Sequence, residues 1–205
     1  MRDFKKRYMV KQFGNPRGIL GFLVGVAMAI KNRARTDWTL ELLNVLPSDR
    51  ILEIGFGPGV TVQEVAKMAT KGFIAGIDHS ELMVQQASRR NATAIQEGRI
   101  ELKHSSANDS LPYPDATFDK ACTVNSHFFW KEPVRSFQEI RRVLKPGGSL
   151  FVIWQPRWAK TDAQVKESVQ TTSEKLTQAG FELTELKFKS LKPVTGIGAI
   201  ATKPQ

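Results

Sequence analysis

Cysteine occurs once in the 205-residue chain, at Cys122, which excludes a disulfide framework and a cysteine-rich zinc site. Histidine is almost as sparse: His79, His104 and His127 are scattered without metal-ligand spacing, so no metal is expected. Internal repeats and low-complexity linkers are missing. With 41 % hydrophobic and 24 % charged residues, the chain has ordinary globular usage, which excludes a disordered, collagen-like or coiled-coil chain. The longest apolar run, Ile19 to Ile30, falls well short of the roughly 20 residues that a membrane-spanning helix needs.

Acidic residues are in deficit, with 20 Asp and Glu against 30 Lys and Arg for a net charge of +10. Where the excess sits matters more than its sum. Residues 1–35 carry nine basic side chains (Arg2, Lys5, Lys6, Arg7, Lys11, Arg17, Lys31, Arg33 and Arg35) and one acid, Asp3, which leaves 21 basic and 19 acidic residues in 36–205. The positive field therefore belongs to an N-terminal arm. The run Ile19 to Ile30 has no polar face, and a helix apolar all round must be buried or meet something apolar. The arm reads as a helical lid; a homodimer contact and peripheral attachment to an anionic membrane remain open uses of a basic, apolar segment. Its basic start, apolar stretch and Ala27-Met28-Ala29 imitate a secretory signal. The long leading segment through Gly14-Asn15-Pro16-Arg17-Gly18 argues against one, so a cytoplasmic or membrane-peripheral location is expected.

From Thr36 onward, helical and strand periods alternate. Trp38, Leu42 and Val45 with Leu43 and Leu46 predict a helix closed by Pro47-Ser48-Asp49. Strands are expected at Ile51–Ile54, Phe73–Ile77, from Ile100, at Lys120–Val124 and at Leu150–Trp154. Helices are expected from Val60 to Ala69, after the N-cap Ser80 to about Arg90, from Pro133 to Leu144, and over roughly 162–179. Lys145-Pro146-Gly147-Gly148 reads as a helix stop. Two last strands, near 181–190 and 197–203, have no helix between them and so form an antiparallel hairpin. The expected fold is α/β and Rossmann-like: a seven-stranded, mostly parallel sheet with a C-terminal antiparallel hairpin and helices on both faces. Residues 1–35 form the arm and 36–205 the domain.

Chemistry concentrates at Glu53-Ile54-Gly55-Phe56-Gly57-Pro58-Gly59. Alternating glycines directly after a strand let the backbone turn tightly and approach a ligand, and the helix starting near Val60 presents free N–H groups to it. Nineteen residues past Gly59 stands Asp78, where a carboxylate can accept both hydroxyls of a ribose. A dinucleotide fingerprint needs glycine where Val60 stands, so a nicotinamide enzyme fails on spacing.

The spacing Glu-x-Gly-x-Gly-x-Gly resembles motif I of the class I S-adenosylmethionine-dependent methyltransferases. Gly76-Ile77-Asp78-His79-Ser80, Leu111-Pro112-Tyr113-Pro114-Asp115 with Phe118-Asp119, and Arg142-Val143-Leu144-Lys145-Pro146-Gly147-Gly148 follow in the order that family has. The resemblance, to methyltransferases of the type 11-like domain, covers about residues 36–205. It implies methylation by a transferase using S-adenosyl-L-methionine and leaving S-adenosyl-L-homocysteine. It places Gly55, Phe56, Gly57 and Gly59 under the methionine part of the cofactor with Glu53 near its ammonium. Asp78 would hold the ribose, and His79 and Met83 would flank the adenine. Ser106 and Ala107 stand where relatives have Asp-Ala reading the adenine edge, and Asn125 and Ser126 would touch the methionine end.

For the acceptor side, His127 is a candidate general base, set against a histidine that only hydrogen-bonds its neighbours. Phe128, Phe129, Trp130, Trp154 and Trp158 could wall an apolar pocket or pack in the core. The reading is in-line methyl transfer to a small apolar, lipid- or quinone-like acceptor. Two alternatives stay open: a nucleic-acid methyltransferase using the basic arm, and a non-catalytic cofactor-binding module. Asn125-Ser126-His127-Phe128 lacks the Pro-Pro-Tyr that base-modifying relatives carry there, which disfavours nucleic acid.

Overall fold

The computed structural model describes residues 33–205. Its elements in chain order are α1 (Arg33–Leu43), β1 (Arg50–Ile54), α2 (Val60–Met68), β2 (Phe73–Asp78), α3 (Glu81–Arg90), α4 (Ala92–Gln96), β3 (Ile100–His104) and β4 (Phe118–Val124). A 3₁₀ turn (His127–Phe129), α5 (Pro133–Val143), β5 (Leu144–Trp154), α6 (Asp162–Gln178), β6 (Glu182–Lys189) and β7 (Gly196–Thr202) complete it. The strands form one sheet ordered β3-β2-β1-β4-β5-β7-β6. β1 to β5 run parallel, and β7 is antiparallel to both neighbours.

The central strands are mostly apolar because both faces are covered. Alternation sorts their side chains. Ile51, Ile74 and Cys122 face α1, α2 and α3, where Trp38, Leu43, Val62, Val65 and Ala87 meet them. Leu52, Ile54, Ala75 and Val152 point the other way, onto Phe137 and Ile140 of α5 and Leu176 of α6. Glu53 and Asp78 alternate onto the α1–α3 side. The two acids of the glycine region thus enter the same half of the molecule.

The seven strands and the terminal hairpin match the expected architecture, with three local differences. Helix α1 ends at Leu43, earlier than expected, because Asn44 adopts φ 41°, a conformation asparagine tolerates past a helix end, and Asp49 Oδ2 then accepts from the Leu46 amide at 2.7 Å. The five-residue α4 was not expected and is too short to carry a helical period. Lys145-Pro146-Gly147-Gly148 is no simple helix stop. β5 already begins at Leu144, which pairs with Phe118. The ladder then slips and resumes at Lys120 and Ser149, while Gly147 and Gly148 exchange backbone hydrogen bonds with Lys203 at 2.9 Å.

Expectations for the arm fall on residues outside the described ones, except Arg33 and Arg35, which lie in α1. Arg35 is buried and donates from Nη1 to Gln155 Oε1 at 2.9 Å, tying the start of α1 to the carboxyl end of β5. No helix among the described residues is long and apolar enough to cross a membrane.

Phe137 is fully enclosed between the sheet and Trp130. Phe137→Ala is expected to cost about 3–5 kcal/mol by the loss of apolar contact plus the cavity left behind. At roughly 2–4 °C per kcal/mol for a domain of this size, the melting temperature should fall by about 6 °C or more. A scanning-calorimetry shift below 2 °C would contradict the packing described.

Candidate functional site

The turn after β1 is built from three glycines with φ of 76°, 54° and 74° at Gly55, Gly57 and Gly59, a region that side chains disfavour. It is held from several sides. The Gly55 amide donates to Ile77 O at 2.8 Å, Gly57 to Asp78 Oδ2 at 2.8 Å, and Gly59 to Phe56 O at 3.1 Å. Arg90 Nε donates to Pro58 O at 2.9 Å, and Asn91 Nδ2 to Gly59 O at 3.2 Å. Ser126 Oγ donates to Ile54 O at 3.0 Å and lies so close that a Cβ on Gly55 would meet it at 2.6 Å. Glycine at 55 is thus required twice, by conformation and by the approach of Ser126.

Asp78 ends β2 in the crevice where open parallel sheets take ligands. Its Oδ1 accepts from the Ser80 amide at 2.9 Å and its Oδ2 from Gly57, leaving further lone pairs on each oxygen. Burial pushes its pKa up, while the Ser80 and Gly57 amides pull it back down. Glu53 is 3 % exposed and takes hydrogen bonds from the Thr61 hydroxyl and Val62 amide at the start of α2. Burial, and then the charge of Asp78, raise its pKa to about 8. Its Oε2 has no hydrogen-bond partner.

The other cofactor-side candidates divide. Phe56 belongs to the turn only through its backbone: its ring is buried, packed over Gly76 in the core. Met83 and Ala107 are buried, and His79 is exposed with Nδ1 3.8 Å from Asp78 Oδ1. The Ser105 amide donates to Asp78 O, which brings Ser106 beside the end of β2; Ser106 Oγ accepts from the Asn108 amide and side chain at 3.1 Å. Asn125 sits at φ 53°, and its Oδ1 accepts from the Gln155 amide at 2.8 Å, joining the ends of β4 and β5.

On the acceptor side, two candidates take up the packing alternative. Trp154 packs in the core. It alternates onto the α5–α6 face of β5, is fully buried, and donates from Nε1 to Ser168 at 2.9 Å. His127 is 5 % exposed, boxed in by Trp154, Phe128 and Trp130, with Nε2 3.5 Å from Thr172 Oγ1. Burial, with Lys175 adding to it, depresses its pKa to about 3, which makes it a weak base facing α6. Trp130 packs half-buried on Phe137. Phe129 and Trp158 are about half exposed, and Phe128 stands edge-on to Trp158 at 4.6 Å. Sequence reading missed Arg90, Asn91, Arg35 and Gln155, whose partners lie 30 to 120 residues away and leave no local pattern.

A sheet ordered 3-2-1-4-5-7-6, with a glycine turn after its first strand and a carboxylate closing its second, defines the Rossmann-like methyltransferase class. The chain belongs to the class I S-adenosylmethionine-dependent methyltransferases, and a methyltransferase-domain family profile matches residues 51–148. It is 33 % identical over 186 residues to the uncharacterized methyltransferase YdaC of Bacillus subtilis, covering 89 % of this chain and 98 % of that one. It is 38 % identical over 108 residues to the demethylmenaquinone methyltransferase of Symbiobacterium thermophilum, covering 52 % of this chain and 43 % of that protein. A SAM-dependent methyltransferase from Aquifex aeolicus superposes with a TM-score of 0.67 at 20 % identity, covering 95 % of this chain and 97 % of that one. The enzyme class and its cofactor, S-adenosyl-L-methionine, follow. The residues present suit that group: a buried acid with an open oxygen, a carboxylate with spare lone pairs, and a turn where a Cβ on Gly57 would meet nothing within 4 Å.

Asp78→Asn is expected to weaken S-adenosylhomocysteine binding by about 1.5–3 kcal/mol, the scale of one charge-assisted hydrogen bond. Titration calorimetry would show the loss; unchanged affinity in the folded variant would make Asp78 a purely structural brace of Gly57. His127 offers a second check. Its folded pKa lies below the unfolded value, so it contributes stability above about pH 6.5 that is lost as pH falls toward 3. The wild-type minus His127→Gln difference in unfolding free energy should therefore shrink across that window, and a pH-independent difference would refute the buried neutral ring.

Proposed function

We propose that the protein transfers the methyl group of S-adenosylmethionine to a small apolar, lipid- or quinone-like acceptor received at the carboxyl ends of β4 and β5. The observation that carries this reading is the aromatic rim there: Phe128, Phe129 and Trp158 are three of the six large hydrophobic side chains standing exposed among the described residues, on the segments that follow these two strands. Clustered exposed aromatics beside a cofactor site mark a binding surface. The similarity to a demethylmenaquinone methyltransferase supports an acceptor of that kind.

When bound, the cofactor supplies a methyl group activated on a cationic sulfur. The chain's own residues contribute position. The turn Gly55–Gly59 fixes the backbone under the cofactor, and Glu53 and Asp78 hold its ammonium and ribose. Ser126 and Asn125 brace the floor between the two ligands through Ile54 and Gln155. Phe129 and Trp158 would grip the acceptor, and Phe128 is backed by the neutral His127 ring at 3.9 Å. Orientation of this sort can supply roughly 7–11 kcal/mol of barrier reduction. His127 acts in this reading as support for the rim, and the nucleophile is the acceptor's own.

The test is a methyl-transfer assay with radiolabelled donor across quinols, phenols, lipids and nucleic acids. Label is expected in the apolar fraction. Trp158→Ala and Phe129→Ala should each raise the acceptor KM about 10-fold or more, the worth of one buried aromatic side chain, with cofactor affinity unchanged. Label in nucleic acid, or unchanged KM in both variants, would overturn the apolar acceptor.

A further inference from the structure

Two carboxylic acids enter the buried end of the site from neighbouring strands, and among the described residues no lysine or arginine forms an ion pair with either. Glu53 and Asp78 share the α1–α3 face. Across the ladder, β4 sets Cys122 opposite Glu53, a buried thiol whose own ionisation is opposed by its burial and by Glu53. From α2 only the Thr61 hydroxyl and Val62 amide reach the Glu53 carboxyl. On the β2–β3 side the titratable groups facing Asp78 are His79 and His104, and His79 is exposed. No lysine or arginine among the described residues forms an ion pair with Glu53.

A buried carboxylate without a countercharge takes up a proton. Which acid holds it follows from geometry. Asp78 accepts two backbone amides, from Gly57 and Ser80, and these favour its ionised form. Glu53 accepts one backbone amide, from Val62, and the Thr61 hydroxyl, while its Oε2 stays bare at 3 % exposure. This difference favours the proton on Glu53 over Asp78.

We propose that Glu53 exchanges this proton for the ammonium of the incoming cofactor, so that cofactor uptake releases about one proton and the pocket selects ligands that carry a cationic amine. The inference rests on the cofactor assignment and on Glu53 lying near the ammonium. The proton leaves Oε2 for solvent, no covalent bond changes, and the carboxylate left behind is neutralised by the ligand. A neutral ligand of the same shape gives Glu53 no reason to ionise.

Calorimetric titration of the full-length protein with S-adenosylhomocysteine at pH 7, repeated in buffers of different ionisation enthalpy, reads the proton directly. The expected slope is about one proton released per site. Glu53→Gln should abolish the release and raise Kd roughly 10- to 100-fold. 5′-Methylthioadenosine, which lacks the ammonium and its carboxylate, should bind the wild type with no release. That arm needs no variant. Binding heat with zero slope for S-adenosylhomocysteine would overturn the proposal and leave the cofactor reading standing. Release that persists in Glu53→Gln, or with methylthioadenosine, would overturn it as well. Absence of binding heat with S-adenosylhomocysteine at millimolar concentration would remove the cofactor reading and the proposal together. A separate readout is stability. The raised Glu53 pKa contributes stability fully present below about pH 4.5 and lost as pH rises through about 8. The wild-type minus Glu53→Gln difference should decline across that window, and a flat difference would count against the proton.

Discussion

The hydrogen bond from the Gly57 amide to Asp78 Oδ2 ties the end of β2 to a turn that begins at the end of β1. Twenty-one residues separate the two groups, and the turn's three glycines have no side chains with which to hold it. Its conformation, with left-handed φ at alternate positions, is stable only because neighbouring elements occupy its polar groups. β2 supplies Ile77 O and Asp78, the end of α3 supplies Arg90 and Asn91, and the segment after β4 supplies Ser126. The parallel sheet brings these together because β1 lies between β2 and β4. A change in strand order would scatter the turn's partners.

The site that results has two chemically opposite ends. Toward β1 and β2 it is acidic and closed, with Glu53 and Asp78 taken out of water. Toward β4 and β5 it is aromatic and partly open. A cofactor carrying positive charge suits the acidic end, and Asn125 and Ser126 tie the ends of β4, β5 and β1 together between the two. Burial acts differently on the two ionisable groups nearest the floor. It drives Glu53 toward its protonated form and His127 toward its unprotonated one, since burial disfavours charge in each.

Much of this was legible without coordinates. Strand and helix periods, the hairpin at the end, the glycine turn and Asp78 are written within spans of a few residues, because φ preference, side-chain alternation and capping are local. The resemblance to methyltransferase motifs added the cofactor. The sequence could not say which aromatic faces which way. Trp154 and Trp158 stand four residues apart, yet one is sealed under α6 and the other is half exposed. The first obeys the alternation of β5, whose register with β4 slips after Phe118, while the second lies beyond the strand where alternation no longer applies.

The sequence alone marked where the turn falls and which carboxylate closes β2, because glycine's tolerance of positive φ and a polar residue at a strand end are local signals. Tertiary structure decided the rest. It put Phe56 into the core over Gly76 and boxed His127 against Thr172. It also joined Arg35 to Gln155 and left Glu53 Oε2 bare. Each of these depends on residues tens of positions away becoming neighbours. Burial, which sets whether an ionisable side chain keeps its charge, exists only once the sheet and both helical layers have closed around it.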